Sequence, residues 1–206
     1  MKLILRDIRK EYNGVCILNG ISYSFETGKI YGVIGRPGSG KTTLLRCIAR
    51  EYDFTGTDTL IDAGKRIFGT DSYDYMLLDK DIVMPKMLTG RQYIEQCLNI
   101  HEGRLLTETI DEYVEMFGFG AENLDMYMKE YTGEELQIIQ LVAVSIIRPL
   151  VVLMDELVSN FMIPSIFFES LEHSVVIIAE SNEEEAKNYC DEILYLEKGA
   201  CISNRI

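Results

Sequence analysis

The fold is decided by residues 30–50, which read IYGVIGRPGSGKTTLLRCIAR. The apolar run IYGVI is typical of a buried strand, and the stretch after GRPGSG has the apolar spacing of a helix, expected over about residues 41–50. The loop between them fits the pattern G-x-x-x-x-G-K-[ST] in full, in the strand–loop–helix context that the pattern requires. A plain glycine-rich turn is the alternative, but it would not require the strand, loop and helix to occur in this order. The stretch therefore predicts a phosphate-binding loop.

The residue types in this loop suit the phosphates and magnesium ion of bound MgATP. Glycines let successive backbone N–H groups turn toward phosphate oxygens, and the N-terminus of the following helix attracts anions. Lys41 is expected to reach the β- and γ-phosphates, and the Thr42 hydroxyl to coordinate Mg²⁺. The residues predicted to bind ATP in this loop are Gly35, Arg36, Pro37, Gly38, Ser39, Gly40, Lys41, Thr42 and Thr43.

The other half of such a site is an acid at the end of a buried strand. The apolar run LVVLM is followed directly by Asp155 and Glu156. Asp155 would complete the Mg²⁺ shell with Thr42, and Glu156 would be the catalytic residue that orients or polarises the attacking water. Two acids also occur at ordinary strand ends, and it is the phosphate loop upstream that favours the catalytic interpretation.

Apolar patterns along the rest of the chain predict alternating strands and helices. Strands are predicted at residues 3–8, 21–25, 30–34, 56–68, 150–154, 175–179 and 193–196, with turns at 13–14 and 27–28. Helical patterning runs from about residue 90 to 129. Thr132 and Glu135 form a capping box for a further helix, which should end before Pro149. This alternation indicates an α/β protein.

Composition excludes several classes of partner. The 206 residues carry 20 Lys and Arg against 33 Asp and Glu, a net charge of −13, so we expect neither nucleic-acid binding nor loose adhesion to anionic lipid. No apolar run approaches the length of a membrane span, and the N-terminus lacks the apolar stretch of a signal peptide. The five cysteines are scattered and odd in number, which favours a reducing, cytosolic compartment.

The phosphate loop, the acid-ended strand and the segments between them resemble the ATP-binding subunits of ABC transporters over essentially the whole chain. The resemblance implies a P-loop NTPase fold of the ABC ATPase type in a single domain, residues 1–206. This fold has a mostly parallel core sheet, an N-terminal antiparallel β subdomain and an inserted helical subdomain at about 88–148. In the family an aromatic residue upstream of the loop stacks on adenine, and Tyr12 holds that place. A tyrosine at a strand end can also serve packing alone.

The resemblance also implies partners and a location. Proteins of this kind work with a separate membrane-spanning subunit and a second ATP-binding subunit, in a homodimer or a heterodimer. They lie in the cytoplasm, at the inner face of the cell membrane.

Several family motifs are altered in this chain. The glutamine after the phosphate loop is replaced by Asp79 or Lys80, depending on a one-residue gap. The signature loop, LSGGQ in the family, reads YTGEE at residues 131–135, so Glu134 replaces the second glycine. In the family this loop touches the γ-phosphate held by the opposite subunit. A like-charge contact at about 4 Å costs roughly 1 kcal/mol in water and about 4 kcal/mol at a protein surface.

Two further departures concern hydrolysis. Residues 157–162, LVSNFM, end in methionine where the family has aspartate, and Ser181 stands in place of the switch histidine. Serine cannot supply an imidazole to the γ-phosphate. The binding half of the site is thus intact, whereas hydrolysis is expected to be weak or dependent on a partner.

Three functions fit these motifs. The first is the ATP-binding subunit of a transporter, the second a soluble ABC-type switch or assembly factor without a transport role, and the third a small-molecule P-loop kinase. The helical segment between the phosphate loop and Asp155 disfavours the kinase, as does the position of the Thr132 helix before the strand. Co-purification with a membrane protein would separate the first two.

Overall fold

The computed structural model describes residues 1–67, 74–79, 84–100, 109–156 and 163–202. These residues fall into two compact units. The first comprises Met1–Lys80, Pro149–Asn160 and Glu172–Ile206, and the second Asp81–Arg148 and Phe161–Leu171. In chain order the helices and strands are β1 (Lys2–Tyr12), β2 (Val15–Glu26), β3 (Ile30–Ile34), α1 (Lys41–Ile48), β4 (Thr55–Asp62), β5 (Lys65–Arg66), β6 (Tyr75–Asp79), α2 (Gly90–Ile100), α3 (Ile110–Met116), α4 (Gly133–Ile147), β7 (Val151–Asp155), α5 (Ser165–Ser170), β8 (Val175–Glu180), α6 (Glu183–Lys187), β9 (Glu192–Glu197) and β10 (Ala200–Ile202).

A six-stranded sheet forms the centre of the first unit, in the order β10-β9-β3-β8-β7-β6. Its strands are parallel except for β10, which pairs antiparallel with β9. Every residue of β7 and β8 is buried, as expected of parallel strands covered on both faces. Because the carboxyl ends of parallel strands lie at one edge of a sheet, the residues that follow β3, β7 and β8 share that edge.

A second, antiparallel sheet in the same unit has the order β2-β1-β4-β5. The turn predicted at Asn13 and Gly14 joins β1 to β2, and both residues have positive φ, 48° and 79°. Such a turn matches the twist of a hairpin. The α/β class, with a mostly parallel core sheet and an N-terminal antiparallel sheet, is confirmed.

The second unit contains α2 to α5 and two short 3₁₀ helices, Ala121–Asp125 and Met128–Glu130. The capping box predicted at Thr132 is present, and α4 ends at Ile147, with Arg148 as its C-cap directly before Pro149. Helical patterning was predicted from about residue 90 to 129, and the described residues of this stretch form several separate helices. The capping box at Thr109 starts α3 separately, and Gly118, with a φ of 74°, follows its end.

Three boundaries in the first unit also differ from the sequence-based prediction. The strand expected at 56–68 is divided into β4 and β5 by a turn at Ala63 and Gly64, both with positive φ. α1 ends at Ile48, since Arg50 has a φ of 62°. β2 begins at Val15, six residues before the strand predicted from residue 21.

Candidate functional site

The phosphate loop lies between β3 and α1 and is fixed on both sides by backbone hydrogen bonds. The Gly35 N–H donates to the Glu180 carbonyl at 3.3 Å, at the end of β8. The Gly199 N–H, in the turn between β9 and β10, donates to the Ser39 carbonyl at 3.0 Å. The neighbouring strands therefore set the position of the loop before any ligand binds.

Two glycines of the loop are required by its conformation. Gly40 has a φ of 105°, in the region that side chains disfavour. A Cβ at Gly35 would lie 2.4 Å from both the Leu196 carbonyl oxygen and the Ser39 Oγ. Larger residues at these positions would displace the loop from β9 or from the start of α1.

The N-terminus of α1 is open to an anion. Gly40 is the N-cap and offers no side-chain acceptor, and the first turn contains no acidic residue. The first N–H groups of a helix have no partner within the helix, and the helix dipole places partial positive charge there. Thr42 is exposed and Thr43 half-buried on this first turn, and Arg36, Pro37 and Gly38 are exposed in the loop. A cavity of about 340 Å³ lies beside the loop, bordered by Ser181 and residues 195–198.

Lys41 connects the loop to the ends of β7 and β8. Its side chain is only 4% exposed, and Nζ donates to the Gly35 carbonyl at 2.8 Å and to Ser181 Oγ at 3.0 Å. Nζ also lies 3.6 Å from Glu156 Oε1, and the Ser181 hydroxyl donates to that same carboxylate oxygen at 2.8 Å. Lys41, Ser181 and Glu156 thus form one polar cluster at the phosphate loop.

Glu156 is held in a backbone conformation unusual for its residue type. Its φ is 51°, while its N–H donates to the Ala179 carbonyl at 3.0 Å and so extends the pairing of β7 with β8. Non-glycine residues adopt this conformation at a cost, and they do so most often at functional sites. Here it accompanies the placement of the carboxylate beside Lys41.

Asp155 is buried at the end of β7. Burial raises the pKa of its carboxyl group, and the negative charges of Glu156 and Asp79 raise it further, against a hydrogen bond with Thr42 and the charge of Lys41. Among the described residues, Asp155 Oδ1 is buried and has no hydrogen-bond partner. A buried carboxylate oxygen without a donor, beside a threonine hydroxyl, is a donor set that suits Mg²⁺. The predicted metal residues therefore fit the ion.

Replacing Asp155 with asparagine should stabilise the nucleotide-free protein at neutral pH by about 1 kcal/mol, a usual size for relief of a strained functional site. Because the folded-state pKa is raised, the folded protein binds this proton more tightly than the unfolded chain. Wild-type stability therefore falls as pH rises from the ordinary aspartate pKa through the raised one. Asparagine does not ionise, so its advantage should vanish below about pH 4. Denaturant unfolding across pH measures this difference.

The exposed Asp62→Asn serves as the control for that series and should show no such gain. Asp155→Asn should also lose the dependence of nucleotide affinity on Mg²⁺. If Asp155→Asn has the same unfolding free energy as wild type at every pH, burial of the ionised Asp155 carboxylate does not destabilise the folded protein.

Asp79, one of the two residues predicted at the glutamine position, ends β6 and is the register partner of Asp155. Its carboxylate accepts a hydrogen bond from Arg46 Nη2 of α1 at 3.1 Å. Lys80, the other candidate, and residues 157–162 lie outside the described residues. Asp79 thus contributes negative charge next to the predicted metal residue.

Tyr12 lies at the end of β1 and is 42% exposed. Its ring meets that of Tyr52 edge to face, with centroids 5.9 Å apart, and the Lys10 ammonium lies 4.9 Å from its ring centre. Neither Tyr52 nor Lys10 belongs to a recognisable motif, so sequence reasoning did not select them.

The sequence model of the ABC transporter family matches residues 18–159, more than half of the chain. The chain belongs to the ABC transporter family. Together with the complete phosphate loop, this membership makes it an ATP-binding subunit of an ABC transporter.

Individual relatives agree with this family assignment. The chain is 27% identical to the tungstate uptake system ATP-binding protein TupC of Peptoclostridium acidaminophilum, over 97% of this chain and 96% of that protein. It is 24% identical to the methionine import ATP-binding protein MetN of Chlamydia pneumoniae, over 95% of this chain and 63% of that protein.

Solved structures show the same fold. A putative ABC transporter ATP-binding protein from Pyrococcus furiosus superposes with a TM-score of 0.79 at 22% identity, covering 95% of this chain and 98% of that one. An ATP-binding subunit of an ABC transporter gives a TM-score of 0.81 at 17% identity, covering 98% and 89%. Within the described ranges, no helix of this ABC protein has the length and apolar character needed to cross a membrane.

The altered signature loop of this ABC protein lies at the N-terminus of α4, in the second unit. A capping box occupies two N–H groups of this helix end: Thr132 Oγ1 accepts the Glu135 N–H at 3.3 Å, and the Glu135 carboxylate accepts the Thr132 N–H at 2.7 Å. Glu134 is exposed in the same first turn. In contrast to the start of α1, this helix end carries two carboxylates and is unfavourable for a phosphate.

Proposed function

We propose that this ABC subunit binds MgATP at its phosphate loop and hydrolyses it at a useful rate only when paired with a second ATP-binding subunit that has a glycine-rich signature loop. A separate membrane-spanning subunit would hold the pair at the cytoplasmic face of the membrane. The observation that carries the proposal is the polar cluster in which Ser181 bonds Glu156 beside Lys41. In this cluster Ser181, which stands in place of the switch histidine, links the proposed phosphate-binding Lys41 to the proposed catalytic Glu156.

Nucleotide binding would use groups that are already in place. Lys41 and the N–H groups at the start of α1 offer donors to the phosphate oxygens, while Thr42 and Asp155 would hold the metal. Mg²⁺, when bound, neutralises charge on the phosphates. A lysine ammonium has three donors, so phosphate oxygens would compete with Ser181 and Glu156 for Lys41. Binding therefore changes the surroundings of Glu156.

Tyr12 would bind the base. Its exposed ring at the end of β1 presents an aromatic surface, and such rings stack on nucleobases. The phosphate loop and Tyr12 would then hold the two ends of one ATP molecule.

Slow hydrolysis follows from the hydrogen bond that the Ser181 hydroxyl donates to Glu156. A serine hydroxyl has a single proton, and here that proton is donated to Glu156. The bond orients the carboxylate, which can polarise a water molecule, but it leaves Ser181 no proton to offer the γ-phosphate. We therefore propose that Ser181 supports the position of Glu156 without replacing the charge stabilisation that a histidine would give.

Partner dependence follows from the N-terminus of α4. If two copies of this chain paired in the manner of the family, Glu134 of each would meet the triphosphate of the other. A heterodimer avoids that repulsion at this chain's Lys41–Glu156 site, because the partner supplies the loop. Conversely, this chain's own signature loop, which carries Glu134, would bind poorly to the ATP held by the partner.

Replacing Glu134 with glycine should tighten ATP-dependent self-association, because it removes the like-charge contact. The gain should be about 1 to 4 kcal/mol, the range between water and a protein surface. Light scattering with MgATP, against protein concentration, measures the association.

Glu134→Gln removes the charge without adding glycine and should give most of the effect. Glu95→Gln, at an exposed position of α2, is the matched control and should change nothing. Association that is equally weak in all variants would reject repulsion by Glu134 as the cause of partner dependence.

A further inference from the structure

A cluster of aromatic and cationic side chains lies at the end of α1 that is remote from the phosphate loop. Tyr12 of β1 and Tyr52, which follows α1, meet edge to face with ring centroids 5.9 Å apart and an interplanar angle of 87°. Edge-to-face packing is a favoured arrangement for aromatic pairs. Tyr12 is thus supported by a residue from a different segment.

Tyr52 is fixed by α1 itself. Its N–H donates to the Arg46 carbonyl at 3.2 Å, and the Arg46 guanidinium carbon lies 5.7 Å from its ring centre. The guanidinium is anchored in turn, because Arg46 bonds the carboxylate of Asp79 at 3.1 Å and lies 3.6 Å from that of Glu51. The orientation of the Tyr52 ring therefore depends on the helix that begins with Lys41.

Lys10 ties β1 to the same segment. Its Nζ donates to the Asp53 carbonyl at 2.5 Å and lies 4.9 Å from the ring centre of Tyr12 and 5.7 Å from that of Tyr52. A cation within about 6 Å of a ring centre is attracted to the ring face. One ammonium group thus contacts both rings and the backbone beside Tyr52.

The cluster and the phosphate loop lie at opposite ends of α1. α1 rises about 1.5 Å per residue, so its eight residues separate the two ends of the helix by about 12 Å. Phosphate groups at the Lys41 end and a base near Tyr12 would be spaced along the same helix. The segment that holds Tyr12 is therefore connected directly to the segment that would hold the phosphates.

We propose that Tyr52, together with Lys10, is a positioning residue for the nucleotide base and holds the Tyr12 ring in the orientation that stacks on adenine. This inference rests on the proposed role of Tyr12 in ATP binding. Without the Tyr52 ring, the exposed Tyr12 side chain is ordered only when the base binds, and ordering a mobile side chain weakens binding by roughly three- to tenfold.

The test compares two ligands that share their phosphates. Calorimetry measures the affinities of wild type, Tyr12→Ala, Tyr52→Ala, Tyr52→Phe and the double alanine variant for MgATP and for magnesium tripolyphosphate, which has no base. Tyr52→Ala should bind MgATP roughly three- to tenfold more weakly and tripolyphosphate as wild type does. Tyr52→Phe keeps the ring but removes the hydroxyl that bonds Tyr12 and Arg46, so its loss should be smaller than that of Tyr52→Ala. Tyr127→Ala, an exposed tyrosine of the second unit, is the control.

Coupling between the two rings is the decisive result. If Tyr52 acts through Tyr12, then Tyr52→Ala should cost nothing further in the Tyr12→Ala background. The positioning role is overturned if Tyr52→Ala lowers MgATP affinity equally in the wild-type and Tyr12→Ala backgrounds. It is also overturned if Tyr52→Ala leaves MgATP affinity unchanged, or if it lowers tripolyphosphate affinity as much as MgATP affinity. Unchanged MgATP affinity in Tyr12→Ala would reject base stacking, and failure of wild type to bind either ligand would reject the proposed phosphate site.

Discussion

Replacing Lys41 with alanine should weaken MgATP binding by more than 100-fold. The ammonium group is almost completely buried and lies among groups from three strand ends, where its charge is poorly screened. Removing one member of a buried, hydrogen-bonded charge pair typically costs about 2–5 kcal/mol, and 100-fold corresponds to about 2.7 kcal/mol. Titration calorimetry in the presence of Mg²⁺ measures the loss.

Lys65→Ala is the control for this variant, because Lys65 is an exposed lysine of β5 in the same unit. It should bind MgATP as wild type does. Magnesium tripolyphosphate affinity should fall in Lys41→Ala in parallel with MgATP affinity, since Lys41 is proposed to contact phosphate and not base. Unchanged MgATP affinity in Lys41→Ala would show that the phosphate loop is not the nucleotide site.

Replacing Glu156 with glutamine should lower the phosphate release of the isolated chain by about 10²- to 10⁴-fold, the usual contribution of a general base. Wild-type turnover is itself expected to be slow, so the assay must follow single turnovers with labelled ATP. MgATP binding should be retained or tightened, because the substitution removes a negative charge 3.6 Å from Lys41. The loss should therefore lie in the catalytic rate and not in affinity.

Glu172→Gln is the matched control, an exposed glutamate of the same unit. Addition of a second ATP-binding subunit with a glycine-rich signature loop should raise the rate of wild type but not of Glu156→Gln. Brisk turnover by the isolated wild-type chain, equal in Glu156→Gln, would contradict both the catalytic role of Glu156 and the partner dependence.

The phosphate loop and its neighbouring elements could be predicted from sequence because their signals are local. β3 was predicted with its observed bounds, and α1 with its observed start, since an apolar run, a glycine-rich loop and a helical pattern follow one another without interruption. The capping box of Thr132 with Glu135 is equally local, because both residues lie within one turn. Lys41, Asp155 and Glu156 could be selected because each directly follows a recognisable loop or strand.

Local signals also explain where the prediction failed. Helical patterning was predicted over residues 90–129 without helix boundaries, whereas the backbone starts a helix at Thr109 and turns at Gly118. The pattern of apolar residues indicates which faces of a helix are buried, but it does not indicate where the backbone hydrogen bonds of the helix are interrupted. The turn at Ala63 and Gly64 was missed because alanine is not a typical turn residue, although its φ is positive here.

The sequence by itself determined the class of fold and the family, and it selected the residues proposed to hold the phosphates, because these depend on residue type and short spacing. Only the tertiary structure decided which distant residues meet. Ser181 bonds Lys41 across 140 positions, Asp79 bonds Arg46 across 33, and Tyr52 reaches Tyr12 from the end of α1. The contacts of Ser181 and Asp79 depend on the order of the parallel strands, which brings the ends of β8 and β6 close to α1. The contact of Tyr52 with Tyr12 depends on the antiparallel sheet that contains β1. Local sequence patterns do not contain this pairing information, because it joins residues that are far apart in the chain.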